Sequence, residues 1–75
     1  MSVGLPYKIN KIRICVVFED GSNKDLYEGD LIGAAKWLGT TVHDLTLELG
    51  PDGQVLWREE YEHEGKPCAL WVVAE

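Results

Sequence analysis

The sequence predicts a small α+β domain in which one main helix packs on an antiparallel sheet, in the order β-β-α-β-β-β. Three observations support this class. The chain has 75 residues, which is enough for one domain spanning 1–75. Residues 9–18 alternate apolar and polar residues, and residues 68–73 are almost continuously apolar, and both patterns are typical of strands. Between them, a segment after Asp30 spaces its apolar residues as a helix does.

The first two predicted strands form a hairpin. Residues 9–18 are predicted to be a strand with one core face, because β-branched residues are frequent and Ile12, Ile14, Val16 and Phe18 alternate with residues of the other face. The following Asp20-Gly21 is a strong hairpin signal. Residues 24–28 would be the short return strand, and Gly29 would end it.

The main helix is predicted to begin after Asp30, a favourable N-cap residue. Its apolar residues fall at positions i, i+3, i+4 and i+7, on one face: Leu31, Ala34, Ala35 and Leu38. Gly39 is well placed to end the helix. Trp37 lies beside the apolar face and is expected to cover the rim of the core.

Residues 40–49 fit two patterns, and we favour a strand. Three leucines alternate with polar residues, at Leu45, Leu47 and Leu49. The turn sequence Gly50-Pro51-Asp52-Gly53 would join this strand to a partner at 54–61.

The alternative for the same segment is a second helix. Thr41 would cap it, with Asp44 three residues later in a weaker form of the capping box. Its apolar face would be formed by Val42, Leu45 and Leu49, and Gly50 would end it. The strand is preferred because Leu47 fits the alternation but lies off the helical face.

The last segment predicts two strands joined by a polar connection at 62–67. Residues 55–61 form the first of them. Residues 68–73 form the second, and their almost continuous apolar character predicts a central position in the sheet.

Charge is distributed unevenly along the chain. The formal net charge is -6, but residues 1–18 carry three bases (Lys8, Lys11 and Arg13) and no acid, whereas residues 19–75 carry all 13 acids. A net anion is repelled by nucleic acid and by acidic membrane surfaces. The densest acidic run has four acids in residues 59–64. It fits either a solvated hairpin that prevents edge-to-edge aggregation or a surface that binds a basic groove on a partner protein. The predicted partner-binding residues are Trp57, Glu59, Glu60, Tyr61, Glu62 and Glu64.

One segment resembles a known DNA-binding motif. Residues 34–49 contain an Ala-Ala pair at Ala34-Ala35, Leu38-Gly39 where a turn would lie, the hydroxyl of Thr41, and Leu45 and Leu49. In these positions the segment resembles the helix-turn-helix of Fis-like bacterial DNA-binding domains. The resemblance implies a second, recognition helix at 42–49. That helix would present two acids and no lysine or arginine, which departs from the basic or amide side chains that read DNA.

No arrangement of residues predicts catalysis, a cofactor or a metal site. The two cysteines, Cys15 and Cys68, lie in apolar segments and are expected to be reduced and packed. With His43 and His63 they form no closely spaced ligand pair. The chain shows neither a signal peptide nor the ~20 apolar residues of a membrane span, so a cytoplasmic location is expected.

These observations lead to two hypotheses on function. The first is a non-enzymatic, acidic protein-binding module that inhibits or regulates a partner by docking on its basic, nucleic-acid-binding surface. Its size and charge are similar to those of phage-encoded inhibitors of bacterial nucleases and defence complexes, such as anti-CRISPR proteins, which act in the host cytoplasm. The alternative is a winged-helix-like DNA-binding regulator using residues 30–49, which requires a helix at 42–49. A homodimer is compatible with either hypothesis.

Overall fold

The computed structural model describes residues 11–75, so Lys8 and residues 9–10 of the first predicted strand lie outside the described residues. They form a four-stranded antiparallel sheet and two short helices, which confirms the predicted α+β class. The elements are β1 (Ile12–Phe18), β2 (Asn23–Gly29), α1 (Leu31–Leu38), α2 (Val42–Leu49), β3 (Gln54–His63) and β4 (Lys66–Ala74). A single 3₁₀ turn, Gly50–Asp52, joins α2 to β3.

The sheet has the strand order β2-β1-β4-β3, so two local hairpins meet along β1 and β4. The β1–β4 pairing runs from Ile12 opposite Ala74 to Phe18 opposite Cys68. It is extended by two hydrogen bonds between Lys11 and Glu75, in which each backbone N–H donates to the other residue's carbonyl oxygen, at 3.0 and 2.7 Å. The predicted central position of the last strand is thereby confirmed.

The helix α1 forms where the apolar spacing predicts it. The Asp30 carboxylate accepts a hydrogen bond from the N–H of Gly33 at 2.7 Å, which caps the first turn. Gly39 has φ 75° and ends the helix in the left-handed conformation that glycine adopts without strain. Ala34 and Ala35 are buried against the sheet, and their small side chains permit close packing.

The predicted strand at 45–49 is wrong, because these residues belong to the helix α2. The hydroxyl of Thr41 accepts a hydrogen bond from the N–H of Asp44 at 3.1 Å, as in the helical alternative. Leu45 and Leu49 are buried, one turn apart, whereas Leu47 is 66% exposed. The helical spacing buries two leucines on the sheet, and this outweighs the alternation that included Leu47. The sheet therefore has four strands rather than five, covered by two helices rather than one.

The core lies between the two helices and one face of the sheet. Its fully or almost fully buried side chains come from β1, β4 and both helices: Ile12, Ile14, Val16, Ala34, Ala35, Leu45, Leu49, Cys68, Leu70 and Val72. No buried polar or charged residue occurs among residues 11–75. We call this side of the sheet the helix side and the opposite side the open face.

Candidate functional site

The predicted site residues all lie on β3 or in the turn that follows it. β3 is an edge strand, and its pairing with β4 is interrupted twice. Leu56 pairs with Trp71, and the next pair is Arg58 with Leu70, so β3 contains one extra residue there. A second extra residue lies between Arg58 and Tyr61. Such bulges change the direction in which successive side chains project.

The first bulge contributes to a groove on the helix side. There Trp57, Arg58 and Tyr61 of β3 face the end of α1, with Trp37 and Leu38, over the buried Leu70. The groove has a volume of about 350 Å³. Trp57 and Tyr61 are half-buried and pack against the core, while Trp37 is 40% exposed. We call this groove on the helix side the aromatic groove.

A second and larger groove lies at the end of the sheet where β1 ends and β4 begins. Four exposed carboxylates line it, from Glu19, Glu59, Glu60 and Glu62. Its apolar lining includes Phe18, Tyr61, Pro67 and Ala69. The volume is about 750 Å³. We call it the acidic groove. Because Tyr61 lines both grooves, the aromatic and acidic surfaces are continuous.

The carboxylates of the acidic groove take no part in the ion pairs of the described part of the chain. Within residues 11–75, Glu19, Glu59, Glu60 and Glu62 form no ion pair. Glu64 differs from them. Its carboxylate lies 3.9 Å from the Lys24 ammonium and 3.8 Å from the His63 imidazole, and it does not line the groove.

The structure thus brings together most of the predicted residues and adds others. Glu59, Glu60, Tyr61 and Glu62 share the acidic groove, and Trp57 lies in the adjoining aromatic groove. Glu19, Trp37 and Arg58 were not predicted as site residues. Glu19 joins the site because β1 pairs with β4, a long-range contact without a local sequence signal. Trp37 joins it because α1 ends beside β3.

The segment that resembles a helix-turn-helix does form two helices joined by a short turn at 39–41. The exposed side chains of α2 are Val42, His43, Asp44, Leu47 and Glu48. They include two acids and no lysine or arginine, so this surface does not attract a phosphate backbone.

The remaining reactive side chains do not assemble into a site. Cys15 is half-buried and Cys68 is buried, and both are free thiols. Burial raises the pKa of the Cys15 thiol above its ordinary value of 9.0. Within residues 11–75, no three His, Cys, Asp or Glu side chains are grouped so that they could hold a metal ion. Neither described helix is long and apolar enough to cross a membrane.

The fold and the two grooves define an α+β domain with an acidic, aromatic-flanked surface. Comparisons of the chain with protein-family models, with curated proteins and with solved structures gave no significant match.

Proposed function

We propose that this protein is a non-enzymatic inhibitor or regulator that docks its acidic groove on the basic, nucleic-acid-binding surface of a partner protein. The observation that carries the proposal is the convergence of Glu19, Glu59, Glu60 and Glu62 on one groove, unpaired with any cation among residues 11–75. Uncompensated carboxylates on a concave surface attract a basic partner and accelerate its association.

The apolar part of the site would supply the rest of the binding energy. Tyr61 lines both grooves, and Trp57 is half-buried beside it. Partly buried aromatic side chains are frequent anchors in protein interfaces. Carboxylates around such an anchor would take the positions of nucleic-acid phosphates and would exclude the nucleic acid from the partner. In this proposal the protein acts in the cytoplasm, or in the host cytoplasm if a phage encodes it.

The test compares two triple variants that have the same net charge. The groove variant is Glu59→Gln, Glu60→Gln, Glu62→Gln. The control variant is Asp44→Asn, Glu48→Gln, Asp52→Asn, whose three acids are exposed and lie outside the groove. A partner is first captured by the unmodified protein and identified by mass spectrometry. Its affinity for each variant is then measured at several salt concentrations.

We expect the groove variant to bind at least about tenfold more weakly and the control variant to keep most of the affinity, since only groove carboxylates face the partner. The affinity of the unmodified protein should also fall as salt rises. The proposal is abandoned if the groove variant binds as tightly as the unmodified protein. Equal losses in both variants would show that only net charge matters, and would also overturn it.

The second candidate is the winged-helix-like DNA-binding regulator. The observation in its favour is that 42–49 is a helix, with the β3–β4 hairpin in the position of a wing. The acids on α2 oppose it, and Lys11 and Arg13 are each already paired with carboxylates. Fluorescence anisotropy with DNA fragments at low salt distinguishes the two candidates. Binding that is lost on changing α2 would favour the regulator.

A further inference from the structure

The aromatic groove carries hydrogen-bond donors that the described part of the chain leaves unused. Trp37, Trp57 and Arg58, which line it, have side-chain N–H groups, and Tyr61 has a hydroxyl. Within residues 11–75, none of these four side chains makes a hydrogen bond or an ion pair. The indole nitrogen of Trp57 and the hydroxyl of Tyr61 are nevertheless accessible to solvent. The groove therefore offers donors to a ligand.

These donors lie among apolar surfaces. Trp37 is 40% exposed, Trp57 and Tyr61 are half-buried, and the buried Leu70 lies beneath them. Indole and guanidinium groups donate hydrogen bonds but have no acceptor atom, so among the side chains that line the groove only Tyr61 can also accept. A ligand that matches this lining is apolar, rich in acceptors and poor in donors.

A proline-rich segment has these properties. Proline has no backbone N–H, so a run of prolines offers carbonyl acceptors and no backbone donor. It forms an extended polyproline II helix without internal hydrogen bonds, which leaves every carbonyl free to accept one. Its rings are apolar and dock in grooves lined by aromatic side chains. Because the helix is already formed in the free segment, binding costs little conformational entropy.

Charge argues against single-stranded nucleic acid, which also stacks on aromatic side chains and pairs with arginine. Arg58, the cation that lines the groove, is followed in the chain by Glu59 and Glu60. Both carboxylates are exposed and form no ion pair within residues 11–75, so they repel a phosphate backbone. A neutral chain of carbonyl acceptors gains the hydrogen bond to Arg58 without that repulsion.

We propose that the aromatic groove binds an uncharged, proline-rich segment of a partner protein in the polyproline II conformation. Proline rings pack on Trp37, Trp57 and Tyr61. The indole N–H groups and the Arg58 guanidinium donate to the carbonyl oxygens of the segment. This binding goes beyond the proposed function, which concerns the acidic groove, and it holds or fails independently of it.

The test titrates the isotope-labelled chain with a synthetic peptide of about ten prolines and follows the indole N–H signals by NMR. The chain has three tryptophans, and each gives one such signal. Trp37 and Trp57 line the groove, whereas Trp71 lies between the buried Leu70 and Val72 and so faces the open face, where it serves as the internal control. We expect saturable shifts of the Trp37 and Trp57 signals and an unchanged Trp71 signal. A glycine-serine peptide of equal length is flexible and has backbone donors, so it should bind at least about tenfold more weakly.

Substitutions then assign the binding to the groove, with circular dichroism to verify the fold of each variant. Arg58→Met keeps the stem of an exposed side chain but removes its donors, and should weaken binding of the proline peptide about fivefold. Trp37→Ala should weaken it about tenfold. Leu56→Ala changes a residue that has the same exposed fraction of 40% but lies on the open face, opposite Trp71, and should not weaken it. The triple glutamine variant of the acidic groove should bind the peptide as the unmodified chain does, which separates this proposal from the proposed function.

Three results would overturn the proposal. The first is that the proline peptide shifts no indole signal, or shifts that of Trp71 as much as those of Trp37 and Trp57. The second is that Arg58→Met and Trp37→Ala both bind the peptide as tightly as the unmodified chain. The third is that an oligothymidylate of about ten nucleotides shifts the groove signals at lower concentration than the peptide does at physiological salt, which would identify a site for single-stranded nucleic acid.

Discussion

A contact between α1 and β2 allows a prediction whose sign can be worked out from the structure. A Cβ atom at Gly33 would overlap the hydroxyl oxygen of Tyr27 and would lie 3.1 Å from its Cζ atom. Gly33→Ala therefore combines two opposing effects. Alanine gains about 1 kcal/mol of helix propensity over glycine. Forcing the Tyr27 ring to move costs about 1–3 kcal/mol, as in other overpacked sites. We expect a net loss of about 1 kcal/mol in the free energy of unfolding.

The matched background for this substitution is Tyr27→Phe. Without the hydroxyl, the nearest atoms to the new Cβ are Asp30 Oδ1 at 3.0 Å and Tyr27 Cζ at 3.1 Å, two tight contacts that shifts of a few tenths of an ångström relieve. Gly33→Ala in this background should therefore be neutral or stabilising, because the helix propensity of alanine remains. The coupling between the two substitutions should be about 1–2 kcal/mol.

Urea unfolding followed by tryptophan fluorescence and by far-ultraviolet circular dichroism measures all four proteins of this cycle. The reasoning is refuted if Gly33→Ala is as stable as the unmodified chain. It is also refuted if Gly33→Ala lowers the free energy of unfolding by the same amount with Tyr27 and in the Tyr27→Phe background, since the overlap with the hydroxyl would then not be the cause. Because α1 carries Trp37 into the aromatic groove, a destabilising Gly33→Ala should also alter the fluorescence of the folded state.

Three further predictions concern single side chains. Thr41→Ala removes the cap of α2 and should cost about 1 kcal/mol in urea unfolding, while Thr41→Ser should retain most of the stability. The Ser22 hydroxyl and N–H donate to the Asp20 carboxylate at 2.6 and 2.9 Å and lower its pKa. Ser22→Ala should raise that pKa in an NMR titration. A carboxyl whose pKa is lowered on folding stabilises the fold at pH values above 3.8, the ordinary pKa of this group, and the stabilisation is lost as the pH falls. The Ser22→Ala variant should therefore lose less stability on acidification than the unmodified chain. The raised pKa of the Cys15 thiol predicts slower reaction with Ellman's reagent at pH 8 than that of a free cysteine, and Cys68 should react only after unfolding.

The sequence predicts those elements whose signal is local. The alternation in β1 and the cap and apolar face of α1 each depend on neighbouring residues, and both elements form as predicted. At 42–49 two local signals compete. Leu47 supports the strand and Thr41 supports the helix, and the decision depends on how many leucines can reach the sheet. That is a tertiary property, which an eight-residue segment does not contain.

The candidate site was predictable only in part, for the same reason. The acidic run on β3 is visible in the sequence, and three of its four glutamates lie in one groove. Glu19 is about 40 residues away along the chain and joins them through the β1–β4 pairing. The bulges of β3, which bring Arg58 to the aromatic groove, have no residue signal comparable to the glycine of a tight turn.

The pairing of β1 with β4 has a consequence for how the chain folds. Each hairpin is local and can form early, but an isolated two-stranded hairpin is only marginally stable in water. The core requires β1 and β4 side by side, and these strands come from opposite ends of the described chain. Closing a loop of that length costs about 3–4 kcal/mol of chain entropy before the core contacts compensate for it. Folding should therefore be a single cooperative event that waits for the C-terminal strand, and a ribosome-bound chain without β4 would keep the apolar residues of β1 exposed.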